Sequence, residues 1–245
     1  MKIETFNIIK KDGRKIAAKY YVPENGDKKY PTVIVAHGFG GNYRVLEGHG
    51  EPFAESGIAC IYFDFCGGGA ETLSDGKIVD MTPLTEVDDL MEVIDYVRGL
   101  DFVDTDRLFL IGESMGGFVS SLVAAKRPKE IKGLILWYPA FVIPDDSKKR
   151  YEKNENTCFG NELHPEFNSC TMGIDIYKEI YPYDGPVTIM HGDKDDIVPI
   201  SYSVKAVKTY EYAELITIEG SGHGFLGDDS SRVREMTIDF IKCLI

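Results

Sequence analysis

The sequence predicts an α/β fold: a mainly parallel sheet with helices on both faces, an N-terminal antiparallel hairpin and a small inserted cap. Three observations carry the prediction. Apolar runs such as Thr32 to Ala36 and Leu108 to Ile111 are continuous rather than alternating, as strands covered on both faces require. These runs alternate with helix-period stretches, which implies right-handed crossovers between parallel strands. The pentapeptide Gly112-Glu113-Ser114-Met115-Gly116 joins one such run to the helical-looking stretch Met115 to Lys126, the setting of a nucleophile elbow.

Each element has a local reason. Residues 3 to 9 and 16 to 22 alternate apolar and polar around the Asp12-Gly13 turn, so they read as a hairpin. A polar loop is expected over Pro23 to Pro31, then a strand to Ala36 that ends in His37-Gly38-Phe39-Gly40-Gly41-Asn42. A helix to about Ser56, stopped by Gly57, precedes a buried strand over Ile58 to Phe65. Thr82 can cap the next helix with Pro83 at its first position; Leu84, Val87, Leu90, Met91, Ile94 and Val97 form its apolar stripe. Strands over Leu108 to Ile111 and Gly133 to Tyr138 flank the elbow helix. Later come a strand over Val187 to Met190, a helix from about Ser201 to Tyr210, a strand over Glu214 to Glu219 and a helix from about Ser230. The stretch 141–184 breaks this rhythm and is too long for an ordinary connection, so a cap or lid is expected within a single domain spanning 1–245.

Composition narrows the function. The 245 residues, 43% hydrophobic, suffice for one sizeable core. A formal charge of −13 repels phosphate backbones and anionic membranes, so neither nucleic acid nor a membrane is an expected partner. Five scattered cysteines show no metal or disulfide spacing, and with no apolar leader or spanning run the expected location is cytoplasmic. No metal or organic cofactor is expected. The expected partners are a small-molecule ester and, at most, a second copy in a homodimer.

A serine hydroxyl needs an adjacent base, and the base needs a group that fixes its tautomer. Ser114 is the candidate nucleophile. Flanking Gly112 and Gly116 admit the sharp reversal, where a Cβ would collide with backbone. Among the five histidines, His37 and His191 end strands, while His49 and His164 lack a positioning strand. His223 sits in the flexible loop Gly220-Ser221-Gly222-His223-Gly224-Phe225 after a late strand and is the candidate base. The acid should fall between serine and histidine in chain order. Of Asp193, Asp195 and Asp196, Asp195 has the loop length to reach His223, and the other two read as a solvated, helix-capping turn. The oxyanion donors are expected to be the N–H groups of Met115 and Phe39.

Together, His37-Gly38-Phe39, Phe63-Asp64-Phe65, Gly112 to Gly117, His191-Gly192 with Asp195 and Val198-Pro199, and Gly222-His223 resemble the α/β-hydrolase fold over nearly its whole length. Within that superfamily the chain is similar to bacterial feruloyl and cinnamoyl esterases. The resemblance implies Ser114 as nucleophile, Asp195 as acid, His223 as base and the Phe39 and Met115 N–H groups as oxyanion hole. It departs at Phe65-Cys66-Gly67-Gly68-Gly69-Ala70, where many relatives place a polar or basic residue and a histidine.

The expected activity is a serine carboxylester hydrolase working through an acyl-enzyme, on feruloyl-type or other small aromatic esters. Aromatics concentrate in and beside the insertion: Trp137, Tyr138, Phe141, Tyr151, Phe159, Phe167, Tyr177, Tyr181 and Tyr183. Aromatics lining a cleft suit a flat acyl group, with Trp137 and Phe167 as candidate contacts; packing of the cap onto the core is the competing explanation. Asp145 or Asp146 can accept a hydrogen bond from a phenol, and the resemblance favours Asp146. A general short-chain carboxylesterase, an acylglycerol lipase, a thioesterase or a small peptidase uses the same machinery. A ligand-binding receptor on the same fold is the non-enzyme alternative.

Overall fold

The computed structural model describes residues 1–24, 26 and 29–245; the loop expected over Pro23 to Pro31 falls partly outside them. The N-terminal hairpin forms as the alternation requires: β1 (Lys2–Ile9) pairs antiparallel with β2 (Lys15–Val22), Ile8 opposite Ile16. The apolar runs become β3 (Tyr30–Ala36), β4 (Ala59–Phe63), β5 (Val103–Glu113) and β6 (Gly133–Trp137). After a pair of two-residue strands, β7 (Thr157–Cys158) and β8 (Asn161–Glu162), come β9 (Val187–Gly192) and β10 (Ala213–Ile218). The main sheet runs β1-β2-β4-β3-β5-β6-β9-β10, antiparallel as far as β4 and parallel from there.

Continuous apolar strands pay out to two cores. Along β5, Leu108 and Leu110 face one core while Phe109 and Ile111 face the other. On the first face pack α2 (Pro83–Val97), α3 (Ser114–Lys126) and α7 (Ser201–Val207); on the second pack α1 (Gly50–Glu55) and α8 (Asp228–Lys242). Thr82 caps α2 by accepting from the Thr85 N–H at 3.2 Å. Val87, Leu90, Ile94 and Val97 are buried as expected, whereas Leu84 is 37% exposed, a correction to the expected apolar face.

One further expectation changes. The helix before Ser56 is two 3-10 turns, Tyr43–Val45 and Glu47–His49, followed by the six residues of α1. Tertiary contacts override the helical pattern here: the Tyr43 N–H goes to the Asp64 carboxylate at 2.7 Å, and Gly50 packs so closely on the Tyr21 ring that a Cβ would not fit. The stretch between β6 and β9 holds α4 (Ile143–Glu152), the β7–β8 hairpin, α5 (Phe167–Thr171) and α6 (Ile176–Ile180).

In the sheet order β3 lies between β4 and β5. Successive strands are therefore laid to opposite sides of β3, and the loops leaving the carboxyl ends of β3 and β5 part to open a crevice.

Candidate active site

Ser114 stands at that crevice, where β5 gives way to α3, as the first residue of the helix with φ +50°. A left-handed backbone at a serine is strained and survives only where the surroundings enforce it. Here they do: a Cβ on Gly112 would strike the backbone of Gly116 and Gly117, and one on Gly116 would strike the carbonyls of Ala36 and His37. Strand, helix and neighbouring loop thus interlock only with glycine at both positions.

His223 Nε2 lies 2.9 Å from Ser114 Oγ, and its Nδ1 lies 2.7 Å from Asp195 Oδ2. The carboxylate needs a proton on Nδ1, which leaves the Nε2 lone pair facing the serine hydroxyl. The Asp195 side chain is closed to solvent. Its Oδ1 accepts from the N–H groups of Ile197 (3.0 Å) and Val198 (2.8 Å), and His191 Nε2 lies 3.1 Å from Oδ2. Burial alone would raise this carboxyl; the hydrogen bonds from His191, His223 and the Val198 N–H outweigh it and hold the group well below the usual carboxylate range. Asp193 instead accepts from the Gly220 N–H at 2.6 Å, and Asp196 lines a cavity.

The loop after β3 lies directly against the serine, since a Cβ on Gly38 would come within 3.1 Å of Ser114 Cβ. Phe65 N–H donates to His37 Nε2 at 3.1 Å, so the ring carries its proton on Nδ1 and donates to the Gly38 carbonyl at 2.8 Å. Gly41 N–H also binds that carbonyl, at 3.1 Å. Holding the carbonyl fixes the whole trans peptide, whose N–H belongs to Phe39 and points the opposite way. Burial pushes the His37 imidazole below the usual histidine range, which keeps it neutral for this task. Met115 is in the first turn of α3, where N–H groups have no intrahelical partner.

Sequence reasoning missed three participants. Glu113 accepts from the Gly38 N–H at 3.0 Å and from the Tyr138 hydroxyl at 2.7 Å. Tyr138, at φ +39°, sets its ring edge-on to His223 with centroids 4.8 Å apart. Ser203 Oγ lies 2.7 Å from His191 Nδ1, behind the Asp195 loop. The one signal for the first two is position: each lies at the carboxyl end of a central strand.

Ser114 opens on two cavities. One, of about 440 Å³, is lined on its far side by the stretch after β6 and includes Phe39, Met115, Asp146, Arg150, Phe159 and Phe167. The other, of about 380 Å³, includes Leu46, His49, Tyr138, His223, Phe225 and Ser230. Asp146 and Phe167 therefore face the same space as the serine. Trp137 does not, and this corrects its expected substrate contact: it is 2% exposed in the core on the second face of the sheet, its Nε1 3.3 Å from Thr237 Oγ1. Of the remaining aromatics, Phe141 and Tyr183 are buried packing, while Tyr151 and Tyr181 are exposed. No cluster of His, Cys, Asp and Glu suited to a metal occurs among the described residues, and none of their helices is long and apolar enough to cross a membrane.

A doubly covered, mainly parallel sheet with a strained serine at the elbow after β5 defines an α/β-hydrolase. The chain belongs to the Hydrolase_4 family (serine aminopeptidase, S33), whose model matches residues 27–163. Among solved structures, Est1E from Butyrivibrio proteoclasticus, determined with ferulic acid bound, is similar at 30% identity and TM-score 0.88, covering 98% of both chains. A mitochondrial palmitoyl-protein thioesterase of Homo sapiens is 29% identical over 167 residues, 61% of this chain and 51% of that protein. An uncharacterized 31.7 kDa protein of Escherichia coli is 37% identical over 103 residues, 42% of this chain and 35% of that protein. The chain thus spans between a third and a half of the length of these two curated relatives.

Proposed function

We propose that the chain is a serine carboxylester hydrolase that acts through an acyl-enzyme on hydroxycinnamoyl or other small aromatic esters. The observation that carries the reading is the unbroken hydrogen-bonded line from Asp195 through His223 to Ser114 at the meeting point of two cavities. His223 takes the Ser114 proton as Oγ attacks the ester carbonyl. The N–H groups of Phe39 and Met115 receive the oxyanion. The tetrahedral adduct then collapses: His223 returns the proton to the alcohol oxygen, and the C–O bond to the alcohol breaks. Water, deprotonated by His223, attacks the acyl carbon; collapse frees the acid and restores Ser114. Asp195, ionised throughout, holds the imidazole and stabilises its cationic form.

Support for an aromatic acyl group comes from the larger cavity, where Phe39, Phe159 and Phe167 surround the approach to Ser114 and Asp146 supplies a carboxylate. The similar Est1E has been solved with ferulic acid bound. Residues 141–184 serve in this reading as a cap that closes the acyl side. The test is kcat/KM for methyl ferulate or caffeate against a short aliphatic methyl ester, with and without Asp146→Ala. A preference for the aromatic ester that falls on substitution supports the reading. A wild-type preference for the aliphatic ester overturns the aromatic assignment and leaves a general esterase.

A further inference from the structure

The two cavities meeting at Ser114 are chemically unlike, and one group tells their roles apart. In the proposed mechanism the leaving oxygen takes its proton from His223 Nε2. The leaving group must therefore extend into the cavity that His223 lines, which is the smaller one; Met115 lines only the larger.

Most of the smaller cavity is apolar, from Val45, Leu46, Tyr138, Phe225 and Leu226. Besides Ser114, His223 and Glu113, two polar side chains, His49 and Ser230, interrupt it. His49 Nε2 and Ser230 Oγ stand 3.5 Å apart, a poor fit for one another, so each keeps capacity for a ligand; His49 Nδ1, also without a partner among the described residues, is closed off from the cavity. His49 is only 8% exposed, and burial, helped by nearby Arg234, pushes its pKa down to about 4. At neutral pH it is an uncharged ring with one donor and one acceptor. A buried polar group short of partners favours a ligand that supplies one. A hydroxyl both donates and accepts, so it answers His49 and Ser230 together; an alkyl chain answers neither.

Charge sharpens the choice. The carboxylate of Glu113 lines the same cavity, and no lysine or arginine does. An anionic leaving group would meet this carboxylate with no cation among the residues that line the cavity, on a chain of net charge −13.

We propose that the smaller cavity is an alcohol subsite for uncharged leaving groups that carry a free hydroxyl, with His49 and Ser230 selecting the hydroxyl and Glu113 excluding anions. The proposal rests on the ester-hydrolase reading. Its test is kcat/KM for three butyrate esters that share their acyl group: propyl, 2,3-dihydroxypropyl and 3-sulfopropyl.

The wild-type protein should favour the dihydroxypropyl ester over propyl by about 3- to 10-fold, the range of one or two hydrogen bonds, and should disfavour the sulfopropyl ester by about tenfold. His49→Phe and Ser230→Ala should each bring the dihydroxypropyl:propyl ratio toward one, and Glu113→Gln should raise the sulfopropyl:propyl ratio. Ratios within one variant cancel any general loss of activity, and the wild-type panel decides even where a variant does not fold. Equal wild-type rates on all three esters, or an unchanged hydroxyl preference in both variants, would overturn the subsite and leave the esterase reading standing. No turnover of any of the three, with no reaction of Ser114 toward a fluorophosphonate, would overturn the esterase reading itself.

Discussion

Nε2 of His191 stands 3.1 Å from Oδ2 of Asp195, the same oxygen that meets Nδ1 of His223. His191 Nε2 also faces the Val198 carbonyl at 2.8 Å, so it carries a proton, and Nδ1 meets Ser203 Oγ at 2.7 Å. A buried imidazole thereby supports the same carboxylate oxygen alongside His223. His191→Phe should lower kcat by roughly tenfold with little change in KM, because the Asp195 carboxylate loses one donor while the substrate cavities are untouched. A change confined to KM would contradict the assignment.

Among the three aspartates of this loop, Asp195→Asn should be by far the most damaging, by about 10⁴ in kcat, since the amide favours the wrong imidazole tautomer. Asp193→Asn disturbs only a turn closed on the Gly220 N–H and should be mild. Steady-state kinetics of the two variants side by side check the order, and a worse loss from Asp193→Asn would refute it.

Gly116→Ala should destabilise the fold by roughly 3 kcal/mol, because the added methyl meets the fixed carbonyls of Ala36 and His37 rather than a movable side chain. Urea denaturation measures this. Gly40→Ala has open space around it but a φ of +71°, so its cost should be closer to about 1 kcal/mol.

Stability should fall on the acid side of neutrality through His49. Its folded pKa is pushed down to about 4 by burial and by Arg234, below the ordinary value near 6.5. The unfolded chain therefore binds the proton first: the full contribution is present above about pH 6.5, is lost progressively toward pH 4, and stays flat below that. The window is worth about 3 kcal/mol. His49→Phe should flatten the slope of unfolding free energy against pH over this range without removing it, since burial also pushes His37 down. An unchanged slope would show that His49 titrates alike in the folded and unfolded chains and contradict its burial-lowered pKa.

Much of the fold was legible because its signals are local. Thr82-Pro83 starts a helix, Asp12-Gly13 turns a hairpin, and Gly112 and Gly116 bracket the strained serine. What depends on contacts between distant segments was not legible. Nothing near Tyr43 in sequence announces that the Asp64 carboxylate will take its N–H and break the expected helix. Glu113 looks like a neutral choice within the pentapeptide, and its link to Gly38 and Tyr138 exists only once β3, β5 and β6 lie side by side. The clustering of aromatics was visible, but clustering in sequence does not say which face a ring takes: Phe167 reaches the cavity, and Trp137 turns into the opposite core.

The central claim is that Ser114 is an activated nucleophile, and a fluorophosphonate tests it without any choice of substrate. Native protein treated with the probe should gain one adduct mass, located by peptide mass spectrometry on Ser114. Ser114→Ala should gain none, and His223→Ala should react slower by several orders of magnitude because the hydroxyl has lost its base. A native, folded protein that stays unmodified, or carries the adduct on another serine, would contradict the account.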